Sequence, residues 1–500
     1  MGSADILSFI IFLPAIVAFI LMISTTKVED VRNIAFITTM IILVLVMKIY
    51  LNFEPKAEMQ FVTNIPWITK YGINYNIGVD GFSLTILMLI AILIPTSFLM
   101  LWEGRTKGYW INMLLVQTGV TGTLLSLDII LFYFFWETML LPIFLIIGIF
   151  GSGNKVFSTI KVTIYTMAGS LFMFVAILYL GVAYYNEYGV WSFQYSDLTT
   201  LSLMSYDEKF WLFLAFVTAF AIKIPLFPFH TWITGTYSDA PTGGVFLLSS
   251  IMAKLGIYAV VRFMIPIFPD IYIQFSSWFV FIGIFGLIYF GIAALMQDDI
   301  KKMFAYSSAS HLSLIAAGIF SLNAYGVNGA LYLVIAHAIA TGGLFLLVGL
   351  LHDETGFKTI KDLGGIAKKA PIFTFMFAIM LFSNVGLPST NGFVSELLII
   401  FGIYEFNHVM GYISGITVLI AASFMLWLFQ RAILQERVGA QLQMRDLKIK
   451  EIVGLVPWVV LIFLMGIYPD PFIDKFEPTV THFLNDILRI DEILKSGVVK

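Results

Sequence analysis

The sequence predicts an all-α polytopic membrane protein with about fourteen transmembrane helices, two inverted five-helix repeats, and broken seventh and twelfth helices. Two observations lead to this fold class. The 500-residue chain is 59% hydrophobic, is only 12% charged and has a mean hydropathy of +0.93, which is more apolar surface than a water-soluble fold buries. Apolar stretches of about 20 residues, long enough to cross ~30 Å of hydrocarbon, recur along the whole chain.

The predicted spans group into four segments. Residues 1–108 form an N-terminal three-helix segment with a surface hairpin at about 53–80. Residues 109–263 form the first five-helix repeat, residues 275–430 form the second, inverted repeat, and residues 431–500 form a last transmembrane helix with an amphipathic tail. The predicted spans are 5–23, 31–50, 82–102, 109–127, 129–150, 156–185, 209–229, 242–263, 275–297, 303–320, 326–351, 371–400, 409–430 and 452–468.

Two stretches do not read as membrane spans. INYNIGVD at 73–80 alternates apolar and polar residues like a strand, and NIPWITKYG at 64–72 is predicted as its hairpin partner on the membrane surface. In the C-terminal tail, apolar residues recur with i, i+3, i+4 spacing, which predicts an amphipathic helix. This helix is expected to lie on the membrane or a neighbour, or to pack on its own bundle. The apolar residues are Val480, Phe483, Leu484, Ile487 and Leu488.

Composition excludes several classes of function. A net charge of −3 argues against a nucleic-acid partner. The absence of cysteine excludes disulfides, iron–sulfur ligation, covalent haem attachment and thiolate zinc sites. The sequence contains no phosphate loop and no dinucleotide fingerprint after a strand, so we expect no cofactor in this chain. The N-terminus lacks the basic region of a signal peptide, so we interpret it as a retained first span.

Basic residues predict the orientation in the membrane. Lysine and arginine are concentrated in the loops after odd-numbered spans, such as the loop with Lys301 and Lys302, and are sparse after even-numbered ones. The odd loops are therefore expected to face the cytoplasm, with both termini on the outer side. We expect no further function for these basic loops.

Two predicted spans contain helix-breaking residues. The seventh carries Pro225 and Pro228, and the twelfth carries Gly386, Pro388 and Gly392. The two spans are five apart in the chain. Because successive spans cross the membrane in opposite directions, a unit repeated after an odd number of spans has the opposite orientation. Paired broken spans at matching places predict an inverted-repeat transporter with its site at the bilayer midplane. The alternative is that these kinks serve helix packing alone.

Four ionisable residues fall well inside predicted spans, namely Glu137, Lys223, Lys254 and Glu396. Each costs roughly 2.5–3.5 kcal/mol at a helix centre, so their placement requires pairing or a function. They could pair for stability alone. However, a lysine in a low-dielectric site loses affinity for its proton and a nearby carboxylate restores it. A Glu–Lys pair whose separation changes is therefore a proton switch, and we expect Lys223 to be a proton carrier in a hinge.

Histidines supply candidate intermediate stations for protons. His311 and His337 lie within spans ten and eleven, and His230 lies in the broken segment after span seven. Each is expected either to relay protons or to be a hydrogen-bonded packing residue. Haem ligation by His311 and His337 on facing helices has no other support in the sequence.

Other charged residues near the ends of spans are given ordinary roles. Glu103, Asp128 and Glu405 are interpreted as solvated. Arg262, eight residues after Lys254, is interpreted as a snorkelling anchor near the outer surface.

Stretches between about residue 73 and residue 400 resemble the antiporter-like membrane subunits of respiratory complex I, a family shared with multisubunit cation/proton antiporters and membrane-bound hydrogenases. The matching pieces are INYNIGVDGFSL, FFWETMLLPIF, KIPLFPFHTW, DAPTGG, AKLGIYAVVRF, KKMFAYSSASH, AHAIATGGLFLLVGLL and GGIAKKAPIFTFMFAIMLFSNVGLPSTNGFVSE. The resemblance implies a proton-translocating subunit of an NADH:quinone oxidoreductase. It also implies residue roles: an input pair, Glu137 and Lys223; a central relay, Lys254 with His311 and His337; and an exit toward the outside, Glu396.

The resemblance further implies partners and one departure. The partners would be the L- and N-type antiporter-like chains, a peripheral redox arm and the lipids of an energy-transducing inner membrane, with FMN, iron–sulfur clusters and quinone held by partner subunits. After HTW the family usually has proline, aspartate and a second histidine, followed by glutamate. Here Thr234, Gly235 and Tyr237 replace the first three and Asp239 replaces the glutamate, so Tyr237 or water would have to substitute for that histidine.

Two alternatives of other classes remain open at this point. One is a subunit of a multisubunit Na⁺/H⁺ antiporter or membrane-bound hydrogenase. The other is a structural spacer between electron-transfer subunits. The carboxylate at Glu396, where sister chains and antiporter relatives generally carry lysine, favours the complex I branch.

Overall fold

The computed structural model describes residues 5–436 and 444–495 and consists almost entirely of helices. In chain order the elements are α1 Asp5–Ile23, α2 Val28–Asn52, β1 Gln60–Ile68, β2 Ile73–Val79, α3 Gly81–Met100, α4 Lys107–Leu125, α5 Ile129–Thr138, α6 Leu140–Phe150, α7 Lys155–Tyr188, α8 Tyr195–Leu198, α9 Tyr206–Lys223, α10 Ile233–Asp239, α11 Thr242–Ile267, α12 Pro269–Leu295, α13 Ile300–Ile319, α14 Ala324–Thr355, α15 Ile366–Lys369, α16 Pro371–Val385, α17 Asn391–Phe406, α18 His408–Leu434, α19 Ile449–Ile467 and α20 Asp470–Lys495.

Each predicted span overlaps one of these helices or a consecutive pair of them. Among the described residues, ten helices or collinear helix pairs are long and apolar enough to cross a membrane. The other predicted spans coincide with α4, α9, α13 and the pair α16–α17, whose sequences are more polar or interrupted. The all-α polytopic class is therefore confirmed, while the count of fourteen crossings and the inverted repeats stay predictions.

The predicted hairpin is present. Strands β1 and β2 pair antiparallel, with Ile65 opposite Tyr75. The turn between them ends at Gly72, which has φ +63° and approaches Trp191 so closely that an added Cβ would lie 1.9 Å from its carbonyl oxygen. Only glycine tolerates both the left-handed backbone and this contact.

The amphipathic tail packs on its own bundle. Helix α20 lies against α3, α12 and α14. Phe476, Val480, Leu484 and Ile487 are buried there, whereas Leu488 is 46% exposed. The apolar stripe predicted from the spacing is real, and its partner within this chain is the helical bundle.

Helix α14 is the centre of the fold. Nearly all of it is buried, and it packs against α11, α13, α16, α17 and α19. Small residues allow these close approaches: at Gly329 an added Cβ would lie 2.7 Å from the Ile399 backbone nitrogen of α17. A helix surrounded on all sides in this way is apolar around its whole circumference, as its sequence is.

Irregular backbone interrupts the helices near the charged residues. The chain leaves helical geometry between α9 and α10 after Lys223, and between α16 and α17 at residues 386–390. Both breaks follow from proline or from glycine with positive φ. A third break, at Met139, lies two residues after Glu137 and separates α5 from α6. It was not among the predicted breaks, although Pro142 removes the backbone donor that would bond to Thr138. Such breaks are tolerated at membrane depth only where protein or a cavity surrounds them.

Candidate proton-relay site

Helix α11 places Lys254 at the centre of the bundle. The helix is completely buried, and two π-helical turns, Leu247–Met252 and Val260–Met264, flank the α-helical turns that carry the lysine. A π-turn shifts the hydrogen-bond register by one residue and is frequent at functional sites. Here Lys254 Nζ donates to the carbonyl oxygen of Ser249 at 2.5 Å, five residues earlier in the chain.

The second contact of Lys254 is with His337 on α14. Lys254 Nζ lies 2.7 Å from His337 Nδ1, and both side chains are at most 2% exposed. Neither residue is paired with a carboxylate at this point, so a contact of this length requires one proton between two nitrogen atoms. Lys254 donates to an unprotonated Nδ1 either as an ammonium group or as a neutral amine, or a protonated Nδ1 donates to the neutral amine.

A matching contact links His311 on α13 with Glu396 on α17. His311 Nε2 lies 3.2 Å from Glu396 Oε1, and both side chains are 3% exposed. His311 Nδ1 faces the carbonyl oxygen of Ser307 at 3.1 Å, so Nδ1 carries a hydrogen and the tautomer is fixed. One proton is therefore shared between Nε2 and the carboxylate.

The two pairs meet at the imidazole rings. The ring centroids of His311 and His337 are 5.5 Å apart. His337 Nε2 is buried and has no hydrogen-bond partner. Lys254, His337, His311 and Glu396 thus form one buried row across four helices, in which the step between the two rings is the one without a direct hydrogen bond.

The break between α16 and α17 shapes the Glu396 end of this row. Gly386 ends α16 with φ +73°, and an added Cβ there would lie 2.8 Å from Glu396 Oε2. Glycine is required on both grounds. Because α17 begins at Asn391, Glu396 lies in the second turn of that helix.

Lys223 and Glu137 lie apart from that row and do not form an ion pair with each other. Lys223 is the last residue of α9, 4% exposed, with Nζ 5.0 Å from the centroid of the Trp136 ring. Glu137 Oε1 is buried without a hydrogen-bond partner, although it is close enough for its charge to act on Lys223.

A small cavity connects Lys223 with α11. It has a volume of about 20 Å³ and is bordered by Lys223, Thr163, Thr166 and, on α11, Met252 and Ala253. This volume admits one water molecule, and the threonine hydroxyls and the lysine provide polar partners for it. Lys223 therefore lies beside α11 at Ala253, the residue that precedes Lys254.

Three further candidate residues, His230, Tyr237 and Asp239, lie in separate surroundings. His230 is buried among Phe227, Tyr289 and Phe290, and its Nδ1 has no partner. Tyr237 is fully buried, and its hydroxyl is directed at the side chain of Ser249 in the first π-turn of α11.

Asp239 has a position suited to holding the fold. Its Oδ2 accepts a hydrogen bond from Ser158 Oγ at 2.6 Å, and its carbonyl oxygen accepts from Ser152 N at 2.7 Å. These bonds tie the end of α10 to the beginning of α7. Of the three candidates, Tyr237 is thus the one that touches the surroundings of Lys254.

The interpretation of Arg262 as a snorkelling anchor is wrong. Its side chain is 8% exposed and forms an ion pair with Asp80, which is fully buried. Arg262 Nε also donates to Tyr258 Oη at 3.2 Å, and Asp80 caps α3 by accepting from Ser83 N at 2.9 Å. A polar partner inside the protein, rather than the membrane surface, holds the guanidinium. The sequence DGFS at 80–83 indicates the cap but not this partner.

Asp128 is also not solvated. It has no exposed surface, and its carboxylate accepts backbone N–H bonds from Asn74, Ile130 and Leu131. Burial raises the pKa of Asp128 to about 6, against the opposing effect of these three donors. The residue joins the hairpin to the beginning of α5. In contrast, Glu103 and Glu405 are exposed as expected.

One buried lysine was assigned to a loop on the basis of sequence. Lys301 lies in the first turn of α13 and is 3% exposed, whereas its neighbour Lys302 is partly exposed. The predicted start of this span at residue 303 missed the helix start by three residues, and this error placed a buried residue outside the bundle.

Comparison with known proteins identifies close relatives over the whole chain. The family model described as "NADH:quinone oxidoreductase/Mrp antiporter, TM" matches residues 126–421. The NADH-quinone oxidoreductase subunit M of Rhodobacter capsulatus is 33% identical, over 96% of this chain and 97% of its own length. The same subunit of Rickettsia prowazekii and chain 4 of the NADH-ubiquinone oxidoreductase of Marchantia polymorpha are each 32% identical, over 97% and 96% of this chain and 99% and 97% of their own lengths.

Solved structures of similar fold agree with this family match. A chain of respiratory complex I from Thermus thermophilus superimposes with a TM-score of 0.88 at 28% identity, and the match covers 96% of this chain and 99% of that one. A chain of the Mrp complex from a Dietzia species has a TM-score of 0.85 over 99% and 100% of the two chains. At 17% identity, the latter match shows a common fold alone.

Proposed function

Because the chain belongs to the NADH:quinone oxidoreductase/Mrp antiporter family, we propose that it is the M-type, antiporter-like membrane subunit of a proton-translocating NADH:quinone oxidoreductase. The observation that carries the proposal is the buried row of Lys254, His337, His311 and Glu396. Four titratable groups in the bilayer interior are costly, and a fixed structural role would be served as well by apolar residues.

The row supports a mechanism of stepwise proton transfer. A proton on Lys254 moves to His337 Nδ1 along the 2.7 Å contact. Glu396 first releases the shared proton toward the outside. A proton that crosses the ring gap through water at His337 Nε2 then takes its place between His311 Nε2 and the carboxylate. Lys223 and Glu137 are the gating pair: when the carboxylate approaches Lys223, that lysine holds its proton, and when they separate, the lysine loses it. The changed charge beside α11 then controls when Lys254 passes on its own proton.

The alternative of a Na⁺/H⁺ antiporter subunit is less well supported. The relatives that share about a third of their residues over nearly the whole chain are complex I subunits, whereas the Mrp chain shares half of that. Glu396 also carries a carboxylate where, by the family resemblance, antiporter chains generally carry lysine. A spacer function does not account for the buried titratable row.

The proposal extends to location and partners. The chain is a multi-pass membrane protein of a respiratory complex. We place it in the energy-transducing inner membrane, with the Lys301 end of the bundle toward the cytoplasm and both termini outside. It would lie among other antiporter-like subunits and receive its driving force from a peripheral redox arm that holds the flavin, the iron–sulfur clusters and the quinone site. No redox chemistry is assigned to this chain.

A proton-pumping measurement tests the proposal. The Lys254→Met complex is reconstituted into vesicles, and protons moved per NADH oxidised are compared with the unsubstituted complex and with a Lys70→Met control, whose lysine is exposed on the hairpin. We expect Lys254→Met to lose proton translocation by this chain and Lys70→Met to retain it. Normal pumping by Lys254→Met, or a gradient formed from an imposed sodium step without NADH, would contradict the assignment.

A further inference from the structure

The proposed proton relay does not use Lys301, which is buried on α13, the helix that carries His311. Its Nζ donates to the carbonyl oxygen of Ala240 at 3.3 Å. Within the described part of the chain, Lys301 is in no ion pair with a carboxylate. A buried ammonium group with a single neutral acceptor is weakly held, and a buried lysine readily gives up its proton.

The charged groups around Lys301 are engaged elsewhere. Asp299 accepts from Ser238 Oγ at 2.8 Å and from the backbone N–H groups at the beginning of α13. Asp353 pairs with Arg105 at 3.0 Å, and Lys358 donates to Ser152 Oγ at 3.0 Å. His352, at the end of α14, also lies within electrostatic range. Two acids and three bases therefore face Lys301, and none of them neutralises it by direct contact.

A line of polar groups runs from Lys301 toward Lys254. Ala240, which Lys301 contacts, follows directly after α10, the helix that carries Tyr237. The Tyr237 hydroxyl is directed at Ser249, and the Ser249 carbonyl oxygen accepts from Lys254 Nζ. The end of α10 thus contacts Lys301 through the Ala240 carbonyl, and Tyr237, three residues earlier, reaches the serine that contacts Lys254.

The α13 side offers a parallel line. Ser308 lies seven residues beyond Lys301, and His311 lies ten beyond it, on one face of the helix and about 15 Å along its axis at 1.5 Å per residue. The hydroxyl oxygens of Ser308 and Ser250 are buried without a partner, as is His337 Nε2. Buried polar atoms of this kind are normally satisfied by ordered water. Ser308 lies along α13 between Lys301 and His311, and Ser250 lies one turn before Lys254 on α11, so water at these hydroxyls would extend from the surroundings of one lysine toward the other.

We propose that Lys301 is the entry residue of this subunit: it takes protons from the aqueous phase at its end of the bundle and passes them to Lys254 through water held by Ser249, Ser250 and Ser308. This inference rests on the proposed function. In one transfer, protonated Lys301 gives one proton to neutral Lys254 along the water file. The step leaves Lys301 neutral and Lys254 positively charged, and Lys301 then takes a new proton from water.

The protonation properties of Lys301 suit this role. Burial and the like charges of Lys358 and Arg105 oppose a permanent positive charge on Lys301, and Asp353 and Asp299 act in the opposite direction. A proton donor works best when its pKa is near the working pH. A fully exposed lysine, with an ordinary value near 10.4, would hold its proton too tightly for rapid exchange.

The adjacent lysine provides a matched control. We would compare Lys301→Met, Lys301→Arg, Lys302→Met and Lys302→Arg in the assembled complex, after each preparation is checked for its full subunit content. Arginine keeps the positive charge but does not release a proton in proteins. We expect both Lys301 variants to lose proton translocation and both Lys302 variants to retain it. If Lys301→Met fails to assemble, the comparison of Lys301→Arg with Lys302→Arg decides.

Normal pumping by Lys301→Arg would overturn the proposal, because it would show that Lys301 is only a fixed cation. Equal losses in the Lys301 and Lys302 variants would overturn it as well. The Lys254→Met complex separates this result from the proposed function. If Lys254→Met does not pump while Lys301→Arg does, the relay stands and the entry route is wrong. If Lys254→Met pumps normally, the relay itself is wrong.

Discussion

Replacement of Arg262 by methionine is expected to destabilise the subunit strongly. The Arg262 and Asp80 side chains are 8% and 0% exposed, so the substitution leaves a buried carboxylate without its counter-charge. Removal of one partner from such a pair costs about 3–5 kcal/mol. Asp80 keeps its bonds from Ser83 N and Ser83 Oγ, which compensate in part, so we expect the lower end of this range, about 3 kcal/mol.

The double variant Asp80→Asn/Arg262→Met isolates the electrostatic contribution. Asparagine is also a good helix cap, so it preserves the beginning of α3 and removes only the charge. We expect the double variant to recover most of the stability that Arg262→Met loses. The exposed pair of Lys448 and Glu103, 46% and 67% exposed, is the control, and Lys448→Met is expected to cost at most about 1 kcal/mol.

The assay is the fraction of intact, NADH-oxidising complex that remains after purified samples are heated to a series of temperatures. We expect Arg262→Met to inactivate at clearly lower temperatures than either Lys448→Met or the double variant. Equal inactivation of Arg262→Met and Lys448→Met would refute the argument that burial makes the pair costly to break. A double variant as unstable as Arg262→Met would show that the charge is not the cause.

Two further predictions follow from packing and from titration. Gly342→Ala should impair proton translocation and lower the free energy of unfolding by about 1–3 kcal/mol, because the added Cβ would lie 2.4 Å from Ser250 Oγ and 2.9 Å from the Trp458 ring. The control is Gly415→Ala in another helix, where the added Cβ meets nothing within 4 Å. This variant should be neutral or stabilising in the same two assays. Because Lys301 is proposed to take protons from the aqueous phase, proton translocation by the unsubstituted complex and by Lys302→Arg should decline as the pH on the Lys301 side rises. Translocation that does not depend on that pH would contradict the assignment.

Hydropathy and local patterns were sufficient for the elements of the fold. Membrane spans depend on local composition alone, so every predicted span overlaps a helix, and the alternation in INYNIGVD was sufficient to predict β2. The helix breaks at Lys223 and Gly386 were predictable because proline and glycine act on the backbone of their own segment. The break at Met139 was missed, although Pro142 cannot donate a backbone hydrogen bond to the carbonyl of Thr138 and its ring crowds that carbonyl.

Contacts between distant residues were not predictable from local pattern. Asp80 and Arg262 are 182 residues apart, and nothing in either segment identifies the other. The π-turn that directs the Ser249 carbonyl oxygen to Lys254 depends on tertiary packing around α11, since the sequence LLSSIM also suits an ordinary α-helix. For Lys301, an error of three residues at one helix end decided whether a lysine was interpreted as solvated or buried.

The most direct test of the account is whether Glu396 changes its protonation state during turnover. Infrared difference spectra of the purified complex, recorded on addition of NADH, report the carbonyl stretch of a protonated carboxylic acid. We predict a band that appears with turnover, shifts in heavy water, and is missing in both Glu396→Gln and Lys254→Met. A Glu396 band that is present before NADH and stays constant, or a complex that pumps fully without any such change, would contradict a relay through this residue.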